Sequence, residues 1–318
     1  MKSRSTTRRH AVKAILTAVL GTGFSGKEAV AEGVDDLQSV PSQNSYSQQY
    51  NNNQKEMIDA ESLRKQQVET GEQVRLSATE ASAAYDSVLE TVPGTVFEEG
   101  LWNCESTCKK LEIPTESELE FTAYAPHPEY TTREEAEEND EFVEYLNEFG
   151  DQSRLVSTAP HGGRIEFKTE EQSRLVAERL GGTDWSCVGF NSGGGAYDRW
   201  HITSTELSRR SFPELDAIAD REFDYAVSFH GFGEDGIAVG GGATRELKET
   251  VCDAIRDATN GDYEVYIPES SSPYAGNSSA NYVNWLTAEG DGIQIEQCMQ
   301  ARREDWREVA EAVVSVFD

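Results

Sequence analysis

From residue 155 onward, short apolar runs alternate with longer stretches whose apolar positions recur at helical spacing. Residues 155–159 predict a strand. Thr169-Glu170-Glu171-Gln172 has the spacing of a capping box and opens a helix to Leu180, stopped by Gly181 and Gly182. Residues 185–190 and 200–203 predict short strands, 213–219 a helix, and 225–229 and 237–239 two further strands. Thr244 is placed to cap a helix through Ala258; strands over 263–267 and 292–296 follow, and an amphipathic helix over 304–316 closes the chain. This alternation predicts an α/β fold, a central mixed sheet flanked by helices. Functional groups in such sheets gather at the carboxyl ends of strands, where His161, His230 and Glu296 fall.

The first third reads differently. Residues 32–60 are rich in Gln, Asn and Ser and cannot bury enough apolar surface to offset chain entropy. Residues 61–90 have helix-forming composition but a weak apolar face, and 91–116, with Pro93, Gly94, Cys104 and Cys108, read as a connector. Residues 32–116 are therefore expected to be a disordered or weakly helical linker, and 117–318 a compact domain. Over residues 1–31, Thr7-Arg8-Arg9-His10-Ala11-Val12-Lys13 resembles a twin-arginine motif. A short apolar stretch and Ala29-Val30-Ala31, which fits a cleavage site, follow it. The expectation is export to the cell surface or beyond, with no membrane span.

The formal net charge is −30 and is spread along the chain, whereas the first 31 residues are basic. Such a surface repels nucleic acid and anionic membrane, and suits solubility in concentrated salt. Five cysteines allow at most two bridges; Cys104 and Cys108 suit a local disulfide or two free thiols. A monomer is expected.

The chemistry-bearing stretch is Ala159-Pro160-His161-Gly162-Gly163-Arg164-Ile165-Glu166. It sets an imidazole and a carboxylate five residues apart, and the two glycines let the backbone turn so that both face one pocket. His230, ending another apolar run, supplies a third ligand for a divalent cation such as Zn2+ and leaves a fourth position open. Gly231-Phe232-Gly233-Glu234-Asp235-Gly236 has the spacing of a dinucleotide-binding loop, but a strand rather than a helix follows it.

Together with Arg199-Trp200-His201-Ile202-Thr203-Ser204, Val227-Ser228-Phe229-His230-Gly231, Val239-Gly240-Gly241 and Gly292-Ile293-Gln294-Ile295-Glu296, this stretch resembles zinc-dependent poly-γ-glutamate hydrolases of bacteriophage origin, over roughly residues 140–318. The resemblance implies a three-layer sandwich similar to zinc carboxypeptidases and hydrolysis of amide bonds in a glutamate polymer. It also implies zinc ligation by His161, Glu166 and His230, with Glu296 as the general base. The Leu-Ser-Pro expected after Glu296 is replaced by Gln297-Cys298-Met299, and Phe167-Lys168 replaces a Gly-Thr pair after Glu166.

For an anionic polymer or peptide substrate, Arg245 is a candidate carboxylate contact and Asn191 a candidate hydrogen-bonding group. His201 is expected either in the substrate pocket or as a third ligand in reserve. Two other readings stand beside this one: a carboxypeptidase or deacylase acting on small N-acyl amino acids, and a non-catalytic surface binding module that retains the fold.

Overall fold

The computed structural model describes residues 38–41, 55–58, 68–69, 71–77, 85–91, 101–102, 118–122, 124–150 and 154–318, all within one compact unit, Gln38–Asp318. The expected leader, Cys104 and Cys108 lie outside the described residues. Cys187, Cys252 and Cys298 are buried, with no disulfide among the described residues.

Two sheets organise the chain. The first has six strands: β1 (Gln38–Pro41), β2 (Lys55–Ile58), β3 (Gln73–Ser77), β4 (Tyr85–Thr91), β5 (Leu101–Trp102) and β6 (Glu118–Thr122), in the order β1-β6-β3-β4-β2-β5. Within the stretch 32–116, expected to be disordered or weakly helical, residues 38–41, 55–58, 73–77, 85–91 and 101–102 are strands. The strands there are short, and several pair with partners far apart in sequence, as where Gln38 registers with Phe121. A local composition argument cannot see such pairing.

The second sheet has seven strands: β7 (Phe142–Glu148), β8 (Leu155–Gly163), β9 (Thr183–Gly189), β10 (Tyr225–Gly231), β11 (Ile237–Gly240), β12 (Val265–Tyr266) and β13 (Ile293–Gln297). Their order is β12-β11-β13-β10-β8-β9-β7; β13, β10, β8 and β9 run parallel, while β11 against β13 and β7 against β9 are antiparallel. The expected mixed α/β sandwich is what forms. Alternate residues face opposite layers. Leu155, Val227 and Phe229 pack under the helices Thr169–Leu180, Arg245–Ala258 and Trp306–Phe317, with Val176, Val251 and Val309 in the same core. Val156, Ala226 and Trp185 face a second core with Trp200, Phe212 and Tyr282, roofed by the short helices Ala196–Trp200, Pro213–Ile218 and Tyr282–Trp285.

Several local expectations change. Thr169 is the first residue of its helix rather than its cap: its hydroxyl donates back to the Glu166 carbonyl at 2.8 Å, and Lys168, at φ 75°, precedes the helix. Residues 200–203 are not a strand, because Trp200 ends a helix whose indole is buried and donates to the Phe190 carbonyl at 2.9 Å. Thr244 does cap its helix, accepting from the Leu247 amide. The closing helix starts at Trp306 after a separate turn of helix, Met299–Glu304.

The departure that matters most is in β8, which does not end at Ala159 but continues through both glycines. Its register against β9 steps from Ala159–Ser186 to Gly162–Val188, so one extra residue is accommodated there. A bulge of this kind moves the following side chain to the other face of the sheet. Gly162 has no room for a side chain, since a Cβ would lie 2.8 Å from the Cys187 carbonyl oxygen. Gly163 adopts φ 71°, and a Cβ there would meet the Gly189 carbonyl oxygen at 2.7 Å. Gly163→Ala is expected to cost about 1–3 kcal/mol from the backbone conformation alone, read as a lower urea midpoint at unchanged m-value.

Candidate metal centre

Because of the β8 bulge, His161 faces the same layer as Thr158, Ser228 and His230 rather than alternating away. The chain then folds back: the Glu166 amide donates to the His161 carbonyl at 2.7 Å, and the Arg164 amide to the Gly189 carbonyl at 2.9 Å. This tight return carries the Glu166 carboxylate under β10, where Oε2 accepts from the Gly231 amide at 3.0 Å. His230 and Glu296 are register partners on adjacent parallel strands and so share a face.

Three donor atoms converge. His161 Nδ1 lies 3.1 Å from Glu166 Oε2, His230 Nδ1 lies 3.3 Å from His161 Nδ1, and His230 Nδ1 lies 3.5 Å from Glu166 Oε2. All three residues are buried. Zinc–nitrogen and zinc–oxygen bonds of about 2.0–2.2 Å at tetrahedral angles put neighbouring ligand atoms roughly 3.3–3.6 Å apart. Two sides of the triangle fall in that range and the third, at 3.1 Å, is slightly shorter. His161 Nε2 donates to the Ile202 carbonyl at 2.8 Å, which leaves Nδ1 unprotonated toward the centre. The donor set and its spacing fit a zinc ion.

His201 lies beside this triangle. Its Nε2 is 3.7 Å from the other Glu166 oxygen, its ring centroid is 4.1 Å from that of His161, and Tyr197 stacks on its outer face at 4.2 Å. His161, Glu166 and His201 also offer donor atoms within 4.8 Å of one another and form a second possible set. Burial and repulsion from His161 push the His201 imidazole down to about 3, so it is neutral at ordinary pH.

The charges are mutually adjusted. Burial opposes ionisation of Glu166, yet His161 and His230 hold its carboxyl well below the usual carboxylate range. Burial lowers His230, but its contact with Glu166 and the charge of Glu296 raise it above its ordinary value. Glu296 is raised by burial and by repulsion from Glu166, partly countered by His230. Gln294 Nε2 donates to Glu296 Oε1 at 2.8 Å, and Asn281 Nδ2 fixes that amide by donating to Gln294 Oε1 at 2.7 Å. Arg302 lies against Gly231 and donates to the carbonyls of Gln297 and Phe167, both at 3.2 Å. It thus ties the segment after Glu296 to the one after Glu166 and leaves a buried guanidinium near both carboxylates.

Two expected substrate contacts lie elsewhere. β11 runs antiparallel to β13, so the chain leaves its carboxyl end heading away from the strand ends that carry His230 and Glu296. Arg245 therefore starts its helix away from the centre, and its exposed side chain pairs with Glu249 at 2.7 Å. Asn191 is turned onto its own loop, accepting from the Gly193 amide at 3.3 Å and donating to the Gly194 carbonyl. Ser228 and Gln294 each precede a key residue by two positions on the same strand face. That spacing was a usable signal for both; nothing local pointed to Tyr282 or to the Ile202 carbonyl.

A mixed sheet carrying buried imidazoles and carboxylates at the carboxyl ends of its central parallel strands suits a metal-assisted hydrolytic centre. The chain belongs to the poly-gamma-glutamate hydrolase family, whose model matches residues 129–312, and it is a hydrolase of amide bonds. Among solved structures, it is similar to a bacteriophage poly-gamma-glutamate hydrolase, with 23% identity over 55% of this chain and 87% of that one, TM-score 0.45. It is also similar to the zinc-free structure named YNDL-apo, with 24% identity over 55% and 89%, TM-score 0.47. A metallo-carboxypeptidase from Burkholderia cenocepacia shares 12% identity over 78% and 80%, TM-score 0.34. No curated protein matches the chain. Among the described residues, no helix is long and apolar enough to cross a membrane.

Elemental analysis of dialysed protein separates the two donor sets. His161→Ala and His230→Ala are each expected to lose stoichiometric zinc, and His201→Ala to keep it. The reverse result for the last two would make His201 the third ligand.

Proposed function

We propose that this chain is an exported zinc-dependent amidohydrolase that cleaves γ-glutamyl bonds of poly-γ-glutamate or a related peptide. The observation that carries the reading is the triangle of His161 Nδ1, His230 Nδ1 and Glu166 Oε2, with Glu296 beside it in register with His230. Membership in the family supports the substrate class, and the basic, then apolar, N-terminal stretch supports export.

Bound zinc supplies Lewis-acid polarisation of the scissile carbonyl. The other steps belong to the chain's own groups. Glu296 accepts the proton of the attacking water and delivers it to the leaving amine. Its raised affinity for a proton suits both halves of that transfer. Gln294 occupies Oε1, so the carboxylate is held in one orientation with Oε2 left for the reaction. Tyr197, half exposed and stacked on His201, offers a wall along which a peptide main chain would lie.

The surface does not attract a polyanion: acidic residues outnumber basic ones 58 to 28. Substrate capture by this protein therefore relies on short-range contacts at the centre, and is expected to improve with added salt, which screens the repulsion.

Glu296→Gln is expected to retain zinc and lose roughly 10²–10⁴-fold in turnover, followed by gel filtration of poly-γ-glutamate digests. Near-normal turnover would remove Glu296 from the reaction. Oligomeric products indicate internal cutting, whereas monomers released from the start indicate end-trimming.

A further inference from the structure

We propose that Tyr282 and Ser228 are positioning residues that fix which nitrogen of His230 carries its proton, and so turn a bare Nδ1 toward the ion. The inference rests on the reading of His230 as a ligand. Its physical origin is one backbone carbonyl.

The Val227 carbonyl can only accept. Thr158 Oγ1 lies 3.2 Å from it and has a single proton, which it donates there. The Tyr282 hydroxyl, 2.8 Å from Thr158 Oγ1, must then donate to that oxygen. Having spent its proton, Tyr282 accepts from Ser228 Oγ, which is in direct hydrogen-bond contact with it. Ser228 in turn accepts from His230 Nε2 at 2.7 Å. Each step leaves one choice for the next, and the chain ends with a proton on Nε2 and a lone pair on Nδ1. Ser204 Oγ, 3.5 Å from the same Nε2, is a weaker second neighbour that can accept that proton as well.

The opposite direction is disfavoured for a stated reason. It would aim the lone pairs of Thr158 Oγ1 at the Val227 carbonyl, leaving two buried oxygens with no proton between them, and would put a proton on Nδ1, the nitrogen that faces Glu166 and His161 and that an ion needs bare. Thr158, Ser228 and Tyr282 are fully buried, so water is not at hand to repair a mismatched pair. Burial also holds the Tyr282 hydroxyl well above its usual range, so it keeps the proton the chain requires. A metal takes only an unprotonated nitrogen, and the hydrogen bond at the far nitrogen decides which one that is. Two strands and one short helix contribute: Thr158 from β8, Val227, Ser228 and His230 from β10, Tyr282 from the helix Tyr282–Trp285, while Ser204 comes from the loop after His201.

Two measurements test this. In metal-free wild-type protein, at a pH high enough for neutral imidazole, long-range ¹H–¹⁵N spectra are expected to show His230 protonated on Nε2 only. Zinc affinity, measured by chelator competition without substrate, is expected to fall about ten- to hundredfold in Tyr282→Phe and in Ser228→Ala. Thr158→Val is expected to act in the same direction and Thr158→Ser to restore binding, because only the hydroxyl is needed. A His230 protonated on Nδ1 in the wild type overturns the proposal. So do folded Tyr282→Phe and Ser228→Ala proteins that bind zinc within about twofold of a zinc-binding wild type. Wild-type protein that takes up no zinc overturns the metal reading instead, and the spectra of the wild type separate that failure from this one.

Discussion

The centre depends on one extra residue in β8. A regular strand would alternate His161 to the face opposite Thr158 and into the core under the long helices. The bulge between Ala159 and Gly162 reverses this and places the imidazole beside His230. It is tolerated because Gly162 and Gly163 lie against the backbone of β9 where no Cβ fits. The sharp return that follows also delivers Glu166 within five residues. A two-residue device thereby positions two of the three donor atoms, and the third arrives by parallel pairing of β10 with β8.

Bringing two carboxylates and three imidazoles into one buried site carries a desolvation cost, which the surrounding groups offset. Glu166 is held by the Gly231 amide and the imidazoles, Glu296 by Gln294, and His161 by the Ile202 carbonyl. Arg302 supplies a buried positive charge near both carboxylates while its donors are occupied by carbonyls. Polar groups so fully engaged are rigid. A metal site needs that rigidity, since its ligand atoms must be held within a few tenths of an ångström before the ion arrives.

The loop that carries His201, Ile202 and Ser204 has little regular structure of its own, and β3 braces it. The Gln73 amide donates to Ser211 Oγ at 2.9 Å, its side-chain nitrogen donates to the Glu206 carbonyl at 2.5 Å, and its side-chain oxygen accepts from the Ser208 amide at 2.8 Å. Arg75 pairs with Glu141 and lies over the Trp200 ring at 5.3 Å. Arg210 reaches back to Glu69 and Glu72 at 2.8 and 2.9 Å. The small N-terminal sheet thus contributes to the wall of the centre, although it supplies none of the proposed ligands.

Read alone, the sequence determined the parts of this protein that local pattern controls. The apolar runs at 155–159, 225–229 and 292–296, and the amphipathic helices between them, follow from side-chain periodicity, and they become β8, β10, β13 and the helical layer. The residues His161, Glu166, His230 and Glu296 were legible because glycines and strand ends bracket them. What tertiary structure alone decided is direction and register. The antiparallel course of β11 removes Arg245 from the centre, the bulge turns His161 to the correct face, and Tyr282 reaches His230 through Ser228 across more than fifty residues of chain. These outcomes turn on which strand pairs with which, and on an odd or even count of residues across a pairing. A hydrogen bond between distant segments fixes both, and no window of sequence contains it.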